Sequence, residues 1–157
     1  MANSMRVRKA IEVAHYPVAS ATVIEIGDLL YYDGSANQVF PAADFTWDTN
    51  LATTQAALKA AGFGFAGISQ SYSRDGDTDD VRVATKGIAD MPCASAAFNS
   101  DEWIGIDDNA TPDGLLSQQV IGVASAAVAI GRPEEVQAAT TLVRFRFFSD
   151  IAGQPVA

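Results

Sequence analysis

Segments in which hydrophobic and polar residues alternate recur along this chain, and a period of two is typical of half-buried β-strands. The clearest example is residues 63–87, which predict two strands joined by the polar loop 74–80. In the second strand, residues 81–86, bulky apolar side chains fall on one face and basic side chains on the other. Gly64 and Gly67 lie inside the first strand, where the missing side chains predict a bulge or a close backbone approach. We expect this pair of strands to organise the fold.

Shorter segments of the same kind occupy much of the remaining chain. The last is the clearest of them, because Val143, Phe145 and Phe147 would point inward while Arg144 and Arg146 would point outward. Further strands are predicted at residues 22–26, 29–32, 38–40, 88–91, 103–106, 120–124 and 128–130. Together the strands predict an all-β fold, a small barrel-like domain.

One stretch predicts a substantial α-helix, at about residues 50–61. It is rich in good helix formers, it follows residues that can cap a helix N-terminus, and Gly62 stands where a left-handed C-terminal cap belongs. Ala52, Ala56 and Ala60 form a ridge of small side chains on this helix. Such a ridge would let another backbone come close, so these alanines are candidate subunit contacts.

Residues 1–19 are predicted to form a flexible N-terminal arm in front of a single β-rich domain, residues 20–157. The arm holds a cluster of basic residues, shows little periodicity and contains Pro17, which interrupts a helix or a central strand. Short terminal arms are either loose tails or segments that a partner holds in place. The sequence leaves both interpretations open.

Composition and charge exclude several classes of protein. With 48% hydrophobic and 18% charged residues, the chain can form one globular domain with a core of its own. A formal net charge of −9 disfavours nucleic acid as a partner, because phosphate backbones require a basic face. No apolar run approaches the ~20 residues of a membrane span, and the N-terminus lacks a signal-peptide core, so we expect synthesis in the cytoplasm and no membrane partner. The single cysteine, Cys93, fits a reducing compartment.

Candidate catalytic and metal-binding residues are sparse. The only histidine, His15, lies in the predicted arm, where it is poorly placed to act as the base of a Ser-His-Asp triad or to activate Cys93. The aspartates of residues 75–80 could offer oxygen ligands to Ca²⁺, but Asp80 and Lys86 occupy the positions that an EF-hand gives to Gly and Glu. Paired carboxylates for glycoside hydrolysis stay open, because acidic residues are plentiful. We expect a non-enzyme without cofactor, metal or small-molecule substrate.

Six short segments from residue 22 onward occur in an order that is typical of a known family. They are residues 27–31 (Gly-Asp-Leu-Leu-Tyr), the helix at 46–58, residues 65–69 (Phe-Ala-Gly-Ile-Ser), the acidic turn 76–78, the strand 81–87 and residues 129–132 (Ala-Ile-Gly-Arg). With the N-terminal arm and a final β-strand, this combination resembles the head decoration (cement) proteins of tailed bacteriophages.

The resemblance implies a small β-barrel or β-tulip domain that assembles as a homotrimer. Such a protein sits on the outer surface of the capsid in the virion and stabilises the shell by clamping neighbouring copies of the major capsid protein. No catalytic residue comes with this family. The arm would add a strand to a capsid loop, and its candidate contact residues are Arg6, Val7, Arg8, Lys9, Ile11 and Val13.

Two other classes of protein fit the same pattern. One is another phage structural module, such as a tail-tube or head-fibre subunit; a tube subunit would form hexameric rings. The other is a small hydrolase or carbohydrate-binding β-domain, which would show a concave site with convergent polar groups and a carboxylate of raised pKa.

Overall fold

The structure of the chain, a computed structural model, describes residues 6–151. Within this range the strands are β1 (Val7–Tyr16), β2 (Leu29–Asp33), β3 (Gln38–Pro41), β4 (Phe63–Ser69), β5 (Val81–Phe98), β6 (Trp103–Asp108), β7 (Leu115–Val123), β8 (Gly131–Pro133) and β9 (Gln137–Phe148). The helical elements are α1 (Leu51–Leu58) and two 3₁₀ turns (Ala42–Asp44 and Ala126–Val128). Strands and bridges account for 52% of residues 6–151 and helices for 10%, which confirms the predicted all-β fold with one α-helix.

The 18-residue strand β5 is the element that the other strands surround. Its first half lies between β1 and β4, and its second half pairs with β9 and meets β7 where Cys93 lies opposite Val120. β7 pairs with β6, β6 with β8, and β8 with β9. These pairings close β5, β7, β6, β8 and β9 into a five-stranded barrel. The predicted barrel is therefore confirmed, and β5 extends beyond it to pair with β1 on one side and with β4, followed by β2 and β3, on the other.

Alternate residues of β9 fill the barrel interior. Val143, Phe145 and Phe147 are fully buried, whereas Arg144 and Arg146 are exposed, as their spacing predicted. Burying a phenylalanine side chain stabilises a fold by roughly 1.5–3 kcal/mol, so this strand contributes much of the core. A second, smaller apolar cluster lies in the sheet outside the barrel and includes Val18, Ile24, Leu30, Val39, Ala66, Val81 and Val83.

Glycine allows two backbones to come into close contact where β4 meets β5. Gly67 has a φ of 144°, and a Cβ atom there would lie 2.1 Å from the carbonyl oxygen of Ala84. The β2–β4 ladder also shifts register between Leu30 and Tyr31. These features confirm the bulge and close approach that the glycines inside this strand predicted.

The helix α1 begins with a reciprocal cap. The Asn50 side chain accepts a hydrogen bond from the Thr53 backbone N–H (3.0 Å), and the Thr53 hydroxyl accepts one from the Asn50 N–H (3.1 Å). The helix ends at Leu58, three residues earlier than predicted, although Gly62 does have a positive φ of 91°. Gln55 anchors the helix to the barrel, since its buried Nε2 donates to the carbonyl oxygen of Ile106 at 2.6 Å.

Three predicted segments differ from the observed elements. Residues 22–26 form turns around one bridge between Ile24 and Ser73, and a 3₁₀ turn precedes Ile130 where residues 128–130 were predicted as a strand. In both places an apolar side chain, Ile24 or Ile130, packs into the core outside a regular strand, and the sequence pattern is therefore similar to that of a strand. The predicted strand 88–91 does not end at Pro92, and β5 continues beyond it. Proline has no N–H to donate, but the β5–β9 ladder is irregular just after Pro92, so the strand tolerates the missing hydrogen bond.

The N-terminal arm is corrected by the structure. Residues 7–16 form β1, which pairs antiparallel with β5, and both Val7 and Val18 are buried in the core. The prediction of an arm outside the core is therefore wrong for residues 7–19. Pro17 follows the strand directly, where its carbonyl accepts a hydrogen bond from Val39. The part of the predicted arm before residue 6 lies outside the described residues.

Candidate interaction surface

The strand β1 forms an edge of the sheet. It pairs with β5 from Val7 opposite Ala89 to Tyr16 opposite Val81, and within residues 6–151 no strand pairs with its other edge. An edge of this kind presents backbone N–H and C=O groups to which another chain could add a strand. Three register shifts interrupt the β1–β5 ladder, and such irregularities limit how far a new strand could follow this edge.

Two of the predicted capsid contacts are not available at the surface. Val7 belongs to the main apolar core and is 8% exposed. Arg6 is also 8% exposed, and its Nη2 donates to the Gln118 side-chain oxygen at 3.4 Å. The Gln118 Nε2 donates in turn to the buried Asp28 carboxylate at 2.9 Å. Both residues therefore fasten β1 to the interior, and a capsid contact by Arg6 and Val7 stays a prediction that their burial disfavours.

The other four predicted contacts lie on the exposed part of β1. Arg8 and Lys9 are exposed, and Ile11 and Val13 leave 44% and 37% of their surface in solvent. Exposed apolar side chains on an edge strand are unusual, since they favour contact with another polypeptide. The structure thus keeps these four residues as candidates for binding a partner.

Strand register assembles a row of side chains that are distant in sequence. Arg132 on β8 pairs with Arg146 on β9, Arg146 pairs with Ile88 on β5, and Ile88 pairs with Lys9 on β1. Residues directly opposite each other share a face of the sheet, so the row places three cations across four strands. In the neighbouring row Lys86 lies between cross-strand partners on β1 and β9.

We call this surface the basic face. Residues two apart along a strand share a face, which adds Lys86 and Arg144 to the row. The ion pair between Arg8 and Asp90 places Arg8 beside them. Its members are Arg8, Lys9, Lys86, Arg132, Arg144 and Arg146. These are six of the ten lysine and arginine residues of the chain. The carboxylates that face or contact them are Glu12, Asp90, Glu134 and Glu135. The basic face carries a formal charge of +2, so the rest of this chain of net charge −9 carries −11.

Asp90 holds two arginines of the basic face. Its carboxylate accepts hydrogen bonds from Arg144 Nε (2.8 Å) and Nη2 (3.1 Å), and from Arg8 Nε (2.7 Å). The Asp90 side chain is 9% exposed, whereas those of Arg144 and Arg8 are 47% and 58% exposed. Hydrogen bonding by Arg144, supported by Arg8, lowers the pKa of Asp90 below its ordinary value. One buried carboxylate thus fixes the direction of two partly solvated cations.

Apolar side chains interrupt the cations of the basic face. Phe148 lies directly opposite Lys86 and is 41% exposed, and Leu142 on the same face of β9 is 44% exposed. A shallow groove of about 420 Å³ lies beside Phe148 and is lined by Glu12, Thr85, Lys86, Phe148 and Ser149. This mixture of arginine, lysine and exposed apolar groups resembles the composition of protein–protein interfaces.

The predicted subunit-contact alanines lie elsewhere on the molecule. Ala52 and Ala56 are exposed on α1, and Ala60 is exposed just beyond the end of the helix. Their buried neighbours Thr54 and Leu58 face the barrel. Contact between subunits at this ridge stays a prediction.

The candidate catalytic residues do not form a recognisable site. His15 is exposed near the end of β1, and Cys93 is buried, with its Sγ 3.5 Å from the Thr140 carbonyl oxygen. Burial, with a smaller contribution from Asp107, raises the pKa of the Cys93 thiol, which disfavours the reactive thiolate. Within residues 6–151, no three His, Cys, Asp or Glu side chains are grouped to hold a metal ion.

Comparison with known proteins does not assign this chain to a family. No protein-family model and no curated protein matches the sequence. In the described part of the chain, no helix is long and apolar enough to cross a membrane.

Proposed function

We propose that this chain is a structural protein of a tailed-bacteriophage virion. It binds the outer surface of the capsid and stabilises the shell by joining neighbouring copies of the major capsid protein. The sequence motifs that resemble head decoration proteins support this proposal, as does the small barrel with an additional sheet. The protein acts through buried surface rather than through a chemical reaction.

The observation that carries the proposal is the basic face beside the β1 edge. It combines cations, exposed apolar side chains and unpaired backbone groups on one side of the molecule. A contact of ~800 Å² per partner is typical of a specific protein–protein interface. The strands β1, β5, β8 and β9 offer a sheet surface on which such a contact can form.

We further propose that the chain acts as a homotrimer, either before or after it reaches the shell. A trimer repeats one moderate contact three times, and the resulting avidity holds a subunit more tightly than a single contact can. In a three-fold ring each subunit offers a different patch to the next, so the basic face and the ridge Ala52/Ala56/Ala60 can serve separate contacts.

Electron microscopy of labelled particles tests the proposed location. Phage particles carrying the epitope-tagged chain are purified, decorated with antibody and imaged in negative stain. We expect label on the outer surface of the head, at positions of three-fold symmetry. Label confined to the tail, in hexameric rings, would instead assign the chain to a tail tube, and absence of label from particles would remove the virion proposal.

A further inference from the structure

We infer that the basic face is a docking site for an acidic segment of another polypeptide. The inference deepens the proposed function, on which it rests for the identity of that polypeptide as a shell protein. It names the chemistry of the partner surface, which is rich in Asp and Glu, and the side chains that recognise it. The cations that recognise it are those that form no ion pair within residues 6–151.

Three cations of the basic face form no ion pair within residues 6–151. They are Lys9, Lys86 and Arg132, whereas Arg8, Arg144 and Arg146 each contact a carboxylate. Arg132 is nonetheless held in place, since its guanidinium lies 4.5 Å from the centre of the Trp103 ring. An arginine that is oriented in advance loses less entropy when it binds a carboxylate. The basic face therefore has three cations that can bind carboxylates of another molecule.

The spacing of these cations suits an extended acidic segment. Arg132 on β8 and Lys9 on β1 belong to one row that crosses four strands. Three steps of ~4.8 Å place the two backbones about 14 Å apart. In an extended chain, residues four apart are separated by a similar distance of ~13 Å. A segment with alternating acidic residues can therefore reach both ends of the row and Arg146 between them.

Two properties favour a polypeptide over a nucleic acid. The rest of the chain carries a net charge of −11, which disfavours a long phosphate backbone that extends beyond the basic face. In addition, Phe148 and Leu142 interrupt the cations with exposed apolar surface, which a protein partner can bury. The proposed trimer contact lies instead at the ridge Ala52/Ala56/Ala60, which leaves the basic face for a different protein.

Calorimetric titration with poly-L-glutamate, a defined acidic polypeptide, tests the inference. The full chain is titrated at about 0.02 M and about 0.5 M salt, where charge interactions are weakly and strongly screened. The test variant is Lys9→Glu/Arg132→Glu, which breaks no ion pair of the described residues. The matched control is Arg74→Glu/Ala36→Glu/Thr111→Glu, which changes the net charge equally at exposed positions outside β1, β5, β8 and β9. In it Arg74 stacks on Tyr72 as Arg132 does on Trp103.

We expect wild-type and control to bind poly-L-glutamate with similar affinity at low salt, and the test variant to bind about tenfold more weakly. High salt should remove most of the binding. The neutral variant Lys9→Gln/Arg132→Gln should fall between wild-type and test variant, and near-ultraviolet circular dichroism verifies that each variant is folded. Equal weakening in test and control variants would overturn the inference, because net charge alone would then explain the binding.

Two further measurements separate the other possible occupants. If a single-stranded oligothymidylate binds more tightly than poly-L-glutamate and loses affinity in the same test variant, the face binds nucleic acid and the inference is wrong. If sedimentation shows self-association that salt and the test variant both abolish, the occupant is a second copy and the inference is wrong. Because these assays use no phage particle, their failure is distinguishable from failure of the proposed virion location.

Discussion

A Cβ atom on Gly87 would lie 2.0 Å from the carbonyl oxygen of Lys9, so β1 can lie against β5 only because residue 87 has no side chain. Gly87 faces the interior in the middle of β5, at the point where Ala10 is its cross-strand partner on β1. The attachment of β1, and with it one end of the basic face, therefore depends on this glycine.

Gly87→Ala should displace β1 from the sheet. We expect a loss of roughly 2–4 kcal/mol in the free energy of unfolding, since a backbone atom cannot move aside as a flexible side chain can. Amide hydrogen exchange should become faster in residues 7–16. The control is Gly122→Ala, where the nearest atom to an added Cβ is Phe98 Cε1 at an ordinary 3.6 Å. Unchanged exchange in β1 of the Gly87 variant would show that the strand is not held in this way.

The alternation of apolar and polar residues within single strands predicted the barrel core better than it predicted β1 and the basic face. The alternation of Val143, Phe145 and Phe147 with arginines is visible in the sequence because it reflects burial on one face of one strand. The alternating pattern does not predict β1. Arg8 and Ile11 have no cross-strand partner on β5, and these irregularities interrupt the period of two in its sequence. Its burial at Val7 depends on a core that other strands supply.

The basic face could not be derived from sequence, although parts of it were visible. The alternation in residues 143–147 predicts the outward direction of Arg144 and Arg146, and Arg8 and Lys9 belong to a basic cluster in the sequence. Their combination with Arg132 depends on which strands pair and in which register. Such long-range register is set by the assembled sheet and leaves no signal within a single segment.

Asp90→Asn should weaken the fold by about 1–2 kcal/mol at neutral pH. It removes a carboxylate with two arginine partners, and the loss is reduced because Arg8 and Arg144 are about half exposed and therefore screened by solvent. Urea unfolding of both proteins at pH 7 measures the difference.

The pH dependence of that difference has a defined sign. The pKa of Asp90 is lower in the folded chain than its ordinary value of 3.8, so its stabilising effect is complete well above pH 3.8 and disappears as the pH falls through the folded value. Wild-type and Asp90→Asn should differ by a constant amount from pH 5 to 7 and converge below about pH 3.8. A difference that grows on acidification would contradict the role assigned to this carboxylate.

The acidic loop 74–80 should tolerate substitution and hold no specific Ca²⁺. Its turn is closed by its own groups, because the Asp77 carboxylate accepts a hydrogen bond from the Arg74 N–H at 3.0 Å. Asp79→Asn/Asp80→Asn should change stability by no more than ~0.5 kcal/mol, as is usual at exposed positions. Calorimetry that finds micromolar Ca²⁺ binding, abolished in Asp77→Ala, would disprove this prediction.

Ala56→Arg should prevent trimer formation without unfolding the subunit. Ala56 is exposed, and arginine is a good helix former, so the helix itself should remain intact. The long side chain would instead keep a second subunit away from the ridge Ala52/Ala56/Ala60. Sedimentation equilibrium, with Ala36→Arg in an exposed turn as the control, measures the mass. A trimer of the Ala56 variant would place the subunit contact elsewhere, and a wild-type dimer or hexamer would exclude the trimer.

Stabilisation of the shell is the central claim, and thermal melting of expanded capsid shells tests it most directly. Deleting residues 1–19 would remove β1 and damage the core, so Lys9→Glu/Arg132→Glu is the appropriate variant and Arg74→Glu/Ala36→Glu/Thr111→Glu its control. Shells lacking this chain are mixed with each protein, and both occupancy and melting temperature are measured. We predict that wild-type and control proteins occupy the shells and raise their melting temperature, whereas the test variant does neither. Failure of the wild-type protein to bind, or an unchanged melting temperature at full occupancy, would contradict the account.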